Sequence, residues 1–164
     1  MWKTGRKADI FEDEMHELIC SHLDQNGKVV IGTDSMLTNQ KFIFVNAICL
    51  IGKESKMHGK YFYSRYCDKD EANRNLLVRL LKETTDSINI ANKIREKSPG
   101  AKIEIHMDVN PSSKFLSGKY SSTVIGYIVG CGFDYKIKPD SYAASCVTDK
   151  HTRPTSSYIK RHFR

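Results

Sequence analysis

The periodicity of apolar residues switches several times along this chain, and each switch marks an element. Ile10, Phe11, Glu14, Leu18, Ile19 and Leu23 recur near helical spacing, which predicts a helix over about 10–25, stopped by Asn26-Gly27. Three strand-like runs follow, at about 28–34, 41–52 and 60–67. The second, Lys41 to Ile51, is apolar at alternate and intervening positions alike, as expected of a strand covered on both faces. Short polar links around Leu37-Thr38-Asn39-Gln40 and from Gly52 to Gly59 make the three an antiparallel meander.

A long helix is expected over about 69–97, with Leu76, Leu77, Leu80, Leu81, Ile88, Ala91 and Ile94 along one face. Asp68 is placed to cap it, and Ser98-Pro99-Gly100 ends it. A strand over 101–108, a polar loop from Asn110 to Lys119, a helix over about 120–131 and a short strand at Tyr135 to Lys138 come next. Ser141 can cap a last helix over about 141–151, before Pro154. Residues 1–9 are polar, basic and expected to be loosely ordered.

After the leading helix the order is βββαβαβα. Strand–helix–strand crossovers are right-handed and join parallel strands. The expected fold is therefore α/β, a mixed five-stranded sheet in the order 3-2-1-4-5 with its second strand antiparallel, flanked by helices and preceded by an extra N-terminal helix. The expected division is an N-terminal basic segment and helix at 1–27, one domain at 28–153 and a basic tail at 154–164.

In that topology the first and fourth strands are parallel neighbours. Asp34 closes the run Val29-Val30-Ile31-Gly32-Thr33, and Asp108 closes Ile103-Glu104-Ile105-His106-Met107. Both then lie at the carboxyl ends of adjacent strands, where open α/β sheets bind their ligands. A third acid, Asp149, follows Ser145-Cys146-Val147-Thr148. Acids gathered on a chain with net charge +7 call for a counter-cation. The same positive balance points to a polyanionic partner, because Lys and Arg displace counterions from phosphates.

The remaining bulk features narrow the class. The length of 164 residues suits one domain, and no apolar run reaches the roughly 20 residues of a membrane span. The first thirty residues hold no signal-peptide apolar core, and the five scattered cysteines form no CxxC pair. A cytoplasmic protein with mostly buried, reduced cysteines is expected, without zinc or redox chemistry.

The segments Ile31-Gly32-Thr33-Asp34-Ser35, Arg79-Leu80-Leu81-Lys82-Glu83, Ile105-His106-Met107-Asp108, and Lys138-Pro139-Asp140-Ser141-Tyr142-Ala143-Ala144 through Asp149-Lys150 resemble the ribonuclease H-like superfamily. More narrowly, they look like its small bacterial YkuK-type group, over roughly residues 28–153. The resemblance implies a mixed sheet carrying four acids on the first strand, the first long helix, the fourth strand and the last helix. Asp34, Glu83, Asp108 and Asp149 occupy those elements. It implies Mg²⁺ or Mn²⁺ as cofactor, since hard divalent ions take oxygen ligands and hold the attacking water and leaving oxygen of a phosphodiester. The expected activity is a metal-dependent nuclease acting on RNA, RNA–DNA hybrid or structured DNA.

Each residue has a plainer reading. Asp34 could serve a turn, Asp108 an Asx-turn before Asn110-Pro111, Asp149 a solvated helix face, and Glu83 a helix pair with Arg79. Glu71 competes with Glu83, and Asp140 reads as a helix cap. Ser35 is expected to bond a ligand carboxylate or a phosphate, and Lys114, Lys119 and Lys150 to meet a substrate backbone, with the tail residues Lys160, Arg161 and Arg164. His106 reads as a core or supporting histidine, and His151 as a possible proton shuttle. The loop Val109-Asn110-Pro111-Ser112-Ser113-Lys114-Phe115 departs from the family pattern by lacking a glycine, with Met36 and Thr148 as further departures. The alternatives are a non-catalytic nucleic-acid-binding module on the same fold, and a sugar-kinase or actin-like nucleotide-binding domain, which this chain is too short to form.

Overall fold

The computed structural model describes residues 1–52, 60–112 and 114–152. Its elements are β1 (Trp2–Thr4), β2 (Asp9–Ile10), α1 (Glu12–Asp24), β3 (Lys28–Thr38), β4 (Lys41–Ile51), β5 (Tyr61–Asp68), α2 (Leu76–Lys97), β6 (Ile103–Met107), α3 (Ser121–Gly130), β7 (Asp134–Lys136) and α4 (Asp149–Thr152). A π-helical stretch, Ala143–Thr148, runs directly into α4, and single 3-10 turns lie at Glu71–Arg74 and Gly118–Tyr120.

One sheet contains all the strands, in the order β2-β1-β5-β4-β3-β6-β7. The expected five strands form its centre in the expected order, with β3, β4 and β5 antiparallel and β6 and β7 parallel to β3 and β6. The strand count is corrected from five to seven. Residues 1–9 are not a loose start: Trp2, Lys3 and Thr4 pair with Ser64, Tyr63 and Phe62, and so cover the backbone groups of the β5 edge.

β3 also runs four residues past Asp34, to Thr38. It pairs with β4 through Thr38–Lys41 across a two-residue turn in which Asn39 and Gln40 have φ of 48° and 61°. Positive φ at both turn residues matches the twist of a tight hairpin. Asp34 therefore sits within a strand. What ends beside it is the partner on the other side.

β4 is buried from Phe42 to Ile51. One face of the sheet carries Val29, Ile31, Ile48, Leu50, Ile105 and Met107 against α1, α2 and α3. The other carries Val30, Ala47, Cys49 and Ile51 against Ala143 and Val147 of the π-helical stretch. Burying each such aliphatic side chain contributes about 1.5–3 kcal/mol, which makes the sheet the main source of stability.

α2 buries Leu80, Ile88, Ala91 and Ile94 as expected, but the same stripe holds Glu83, Thr84 and Ser87. α1 is rotated from the expected face. Phe11 is 85% and Leu18 38% exposed, while Met15, His16 and Ile19 are buried. Acidic residues Glu12 and Asp13 in its first turn pair with Lys93 and Lys97 of α2 on the surface.

Three local expectations change. Asp68 does not cap α2: its carboxylate accepts from the Asp70 amide and pairs with Lys82, while Asn75 caps the helix. Ser141 caps nothing, and its buried hydroxyl makes no hydrogen bond. Of the cysteines only Cys49 is buried, with Cys67 and Cys146 exposed, and all five are free.

Asn75 accepts hydrogen bonds from the amides of Leu77 and Val78 at 2.9 and 3.4 Å. Asn75→Ala is expected to destabilise the protein by about 1 kcal/mol and Asn75→Asp to be nearly neutral. Urea unfolding of the three proteins checks this.

Candidate functional site

Thr33 and Met107 are the last paired residues of the parallel β3–β6 ladder. Asp34 and Asp108 follow them on strands about 4.8 Å apart. Thr33 bonds to Asn46 and to Ser87 of α2, both at 2.8 Å, so its side chain is on the α2 face. Alternation directs Asp34 to the opposite face, toward the start of α4.

Glu83 reaches the same end of the sheet from α2. It is 3% exposed, and the Ser35 hydroxyl donates to its Oε1 at 2.6 Å. Ser35 therefore holds an acid across the α2 face. Asp149 is the first residue of α4, which packs against β3 and β4.

The charges of these acids act on one another. Burial pushes the Asp34 carboxyl up to about 7, with Asp108 and Asp149 adding to the effect, while the Ser35 amide and Lys138 oppose it. Burial pushes Glu83 up to about 8, reinforced by Asp34 and Asp108 and opposed by the Ser35 hydroxyl and Arg79. The four acids singled out in the sequence thus form one electrostatic cluster.

Lys138 enters this cluster unforeseen. Its amide donates to the Val109 carbonyl at 3.0 Å, carrying the β6–β7 alignment past β7. Its ammonium then lies 2.8 Å from Asp108 Oδ1. This contact is an ion pair without hydrogen-bond alignment, since the buried Oδ1 makes no hydrogen bond. Strand register places it there: Lys138 lies two residues beyond Lys136, the partner of His106.

A hard divalent cation fits this donor set by chemistry. The donors are carboxylate oxygens, one of them buried without a hydrogen bond, and they repel one another. The geometry is not preformed: among the described residues no three His, Cys, Asp or Glu side chains are arranged to hold one ion.

The other expected residues separate into groups. Glu71 lies on the surface paired with Arg74. Asp140 caps no helix. His106 is fully buried, with its Nδ1 accepting from the Ala143 amide and its Nε2 bonded to Glu104 at 2.8 Å. Burial lowers its pKa, so the neutral ring ties β6 to the π-helical stretch. His151 faces away from a shuttle role. It stacks on Tyr63 at 3.7 Å and bonds the Tyr61 hydroxyl at 3.1 Å.

Lys150 lies over the Tyr61 ring, 5.9 Å from its centroid. Lys119 sits over the Tyr120 ring at 4.7 Å, and Lys114 is exposed in the loop beyond β6. That loop does depend on a glycine: a Cβ on Gly118 would lie 2.1 Å from the Ser112 carbonyl oxygen. Lys160, Arg161 and Arg164 lie outside the described residues.

The family model for ribonuclease H-like proteins matches residues 10–153, and the chain belongs to that family. No curated protein matches the sequence. Among solved structures, the N-terminal ribonuclease H domain of a Mycobacterium tuberculosis protein, solved as a fusion with maltose-binding protein, aligns with 82% of this chain and 98% of that one. Identity is 8% and the TM-score 0.37, too loose a likeness to carry any argument. No helix among the described residues is long and apolar enough to cross a membrane.

The raised carboxyls fix a pH dependence. Asp34 and Glu83 keep their protons to about 7 and about 8 in the folded protein, but lose them near 4 when unfolded. Between those limits the folded state binds more protons, so stability is highest at the acid end and falls as pH rises through 7–8. In chelator, Asp34→Asn is expected to flatten this fall and to gain up to about 4 kcal/mol at pH 8 relative to pH 4. Urea titrations of both proteins across that range measure it, and parallel pH profiles would remove Asp34 from the repulsive cluster.

Proposed function

We propose that this protein is a divalent-metal-dependent nuclease, hydrolysing phosphodiester bonds of RNA, RNA–DNA hybrid or structured DNA. The observation that carries the reading is the placement of Asp34 and Asp108 just past the last paired residues of the parallel β3–β6 ladder, with Glu83 held by Ser35 from α2 and Asp149 at the start of α4. The family supports it, and the four segments listed above suggest the narrower YkuK-type group.

In this reading Asp34 and Asp108 hold Mg²⁺ or Mn²⁺, with Asp149 and Glu83 completing the set. The bound ion would activate water and stabilise the leaving oxygen. Ser35 orients Glu83 by its 2.6 Å hydrogen bond. Lys138 offsets the charge of Asp108 through its 2.8 Å contact. Lys150, Lys119 and Lys114 lie on the elements leading away from the acids and supply charge for the phosphate backbone. The domain would span 28–153, with α1 and the N-terminal strands buttressing it.

The second reading is a binding module without turnover. The ammonium of Lys138 on Asp108 favours it, since a fixed lysine meets one carboxylate's need for a cation.

A panel of labelled RNA, hybrid, single-stranded DNA and branched DNA, with Mg²⁺ or Mn²⁺, decides between them. Cleavage by the wild type is expected, with a loss of more than about 100-fold in Asp34→Asn, beyond the 10–100-fold cost of a residue that only supports a metal ligand. Binding by that variant should be intact or tighter. Mg²⁺ should raise the melting temperature of the wild type and leave that of Asp34→Asn unmoved. Binding without cleavage in the wild type would establish the module instead.

A further inference from the structure

The face of the sheet that carries Asp34 continues laterally into a surface of opposite sign. Asp34 pairs across β4 with Val45, and Val45 pairs with Arg65 of β5. Cross-strand partners share a face, so Arg65 stands on the Asp34 side two strands away, about 10 Å along the sheet. One step further, Tyr63 of β5 pairs with Lys3 of β1. The tight turn after β1 adds Lys7, and α4 adds Lys150 and His151. Together these line an open groove of about 540 Å³.

The groove is built rather than incidental. His151 stacks on Tyr63 at 3.7 Å and bonds Tyr61, while Lys150 donates to the Tyr61 hydroxyl at 3.4 Å. α4 is thus clamped to β5 with Asp149 at its acidic end and Lys150 over the groove. Lys3 is paired with Asp9, but among the described residues Lys7, Arg65 and Lys150 form no ion pair. Lys7, Arg65 and Lys150 line this one groove together with His151. Three cations without a carboxylate partner among the described residues, on a rigid floor, give the groove a positive field that favours an anionic occupant. The chain beyond residue 152 is a poor occupant, because it offers Arg153, Lys160, Arg161 and Arg164 and no acidic side chain.

We propose that this groove between β1, β5 and α4 binds the sugar-phosphate backbone of a single nucleic-acid strand and leads it to the acids at Asp34. Lys7, Arg65 and Lys150 contact phosphates, with Lys3 at the far edge. Tyr63 is only 8% exposed and its ring is covered by His151, so the rings fix the cations and do not stack on bases. Recognition is accordingly of backbone, with little dependence on sequence. The choice of partner rests on the nucleic-acid reading above, whereas the groove itself does not depend on turnover.

The test is fluorescence anisotropy of a labelled single-stranded RNA with the full chain in chelator, over a salt series. Lys7 has φ of 68°, so Lys7→Asn is the substitution that tolerates its backbone, combined with Arg65→Ala. The pair is expected to weaken binding about ten-fold and to flatten the slope of log K against log salt by about 1.4, the value for two lost phosphate contacts on a single strand. Lys69→Ala with Lys102→Ala removes the same charge from exposed positions outside the groove and should do less. Equal effects of the two pairs, an unchanged slope in the groove pair, or no RNA binding by the wild type would each overturn the groove. Cleavage in Mg²⁺ is scored separately. Loss of the groove effect with cleavage retained overturns only this inference. A groove effect without cleavage overturns only the nuclease.

Discussion

The parallel pairing of β3 with β6 stops at Thr33 and Met107, and the chemistry of this protein depends on that end point. Had β6 run one residue further, Asp108 would belong to a ladder. Because it stops there, Asp108 leaves the sheet beside Asp34 while β3 continues on its other side against β4. Two half-buried carboxylates thus follow the last pair of one ladder. The positions of Glu83, Asp149 and Lys138 are responses to that juxtaposition.

Those responses come from both faces. α2 presents Glu83, Thr84 and Ser87 in its buried stripe, and they meet Ser35 and Thr33. A helix that buried only leucine there would pack better and leave the edge empty of oxygen donors. On the other face His106 ties β6 to the backbone of Ala143, which seats the π-helical stretch and with it Asp149. Local packing energy is given up for a cluster of like charges, a sign that the arrangement serves a ligand.

The basic and acidic parts of the surface are separate but continuous. Asp149, Lys150 and His151 are consecutive, and a single turn of helix directs the first to the acids and the other two to the tyrosines of β5. In the proposed reading, the cations would attract a polyanion that the carboxylates alone would repel. The N-terminal strands contribute to both sides of this division, since β1 covers the β5 edge and brings Lys3 to the groove.

The sequence by itself determined the centre of the sheet, its order and the acids that share its edge. Apolar runs closed by Asp34 and Asp108 specify strands, and right-handed crossovers leave one way to lay them side by side. It also placed Glu83 on α2, whereas the burial of Thr84 and Ser87 in the same stripe came only with the packing of that helix on β3. What only the tertiary structure decided are pairings made over long separations by weak local signals. Three-residue β1 has no hydrophobic alternation to announce it and exists because the β5 edge offers hydrogen bonds. The rotation of α1 was set by the packing of Met15 and Ile19 into the core, which leaves Phe11 and Leu18 exposed. Lys138 and Arg65 are ordinary surface cations in the sequence. Strand register alone places one on Asp108 and the other in line with Asp34.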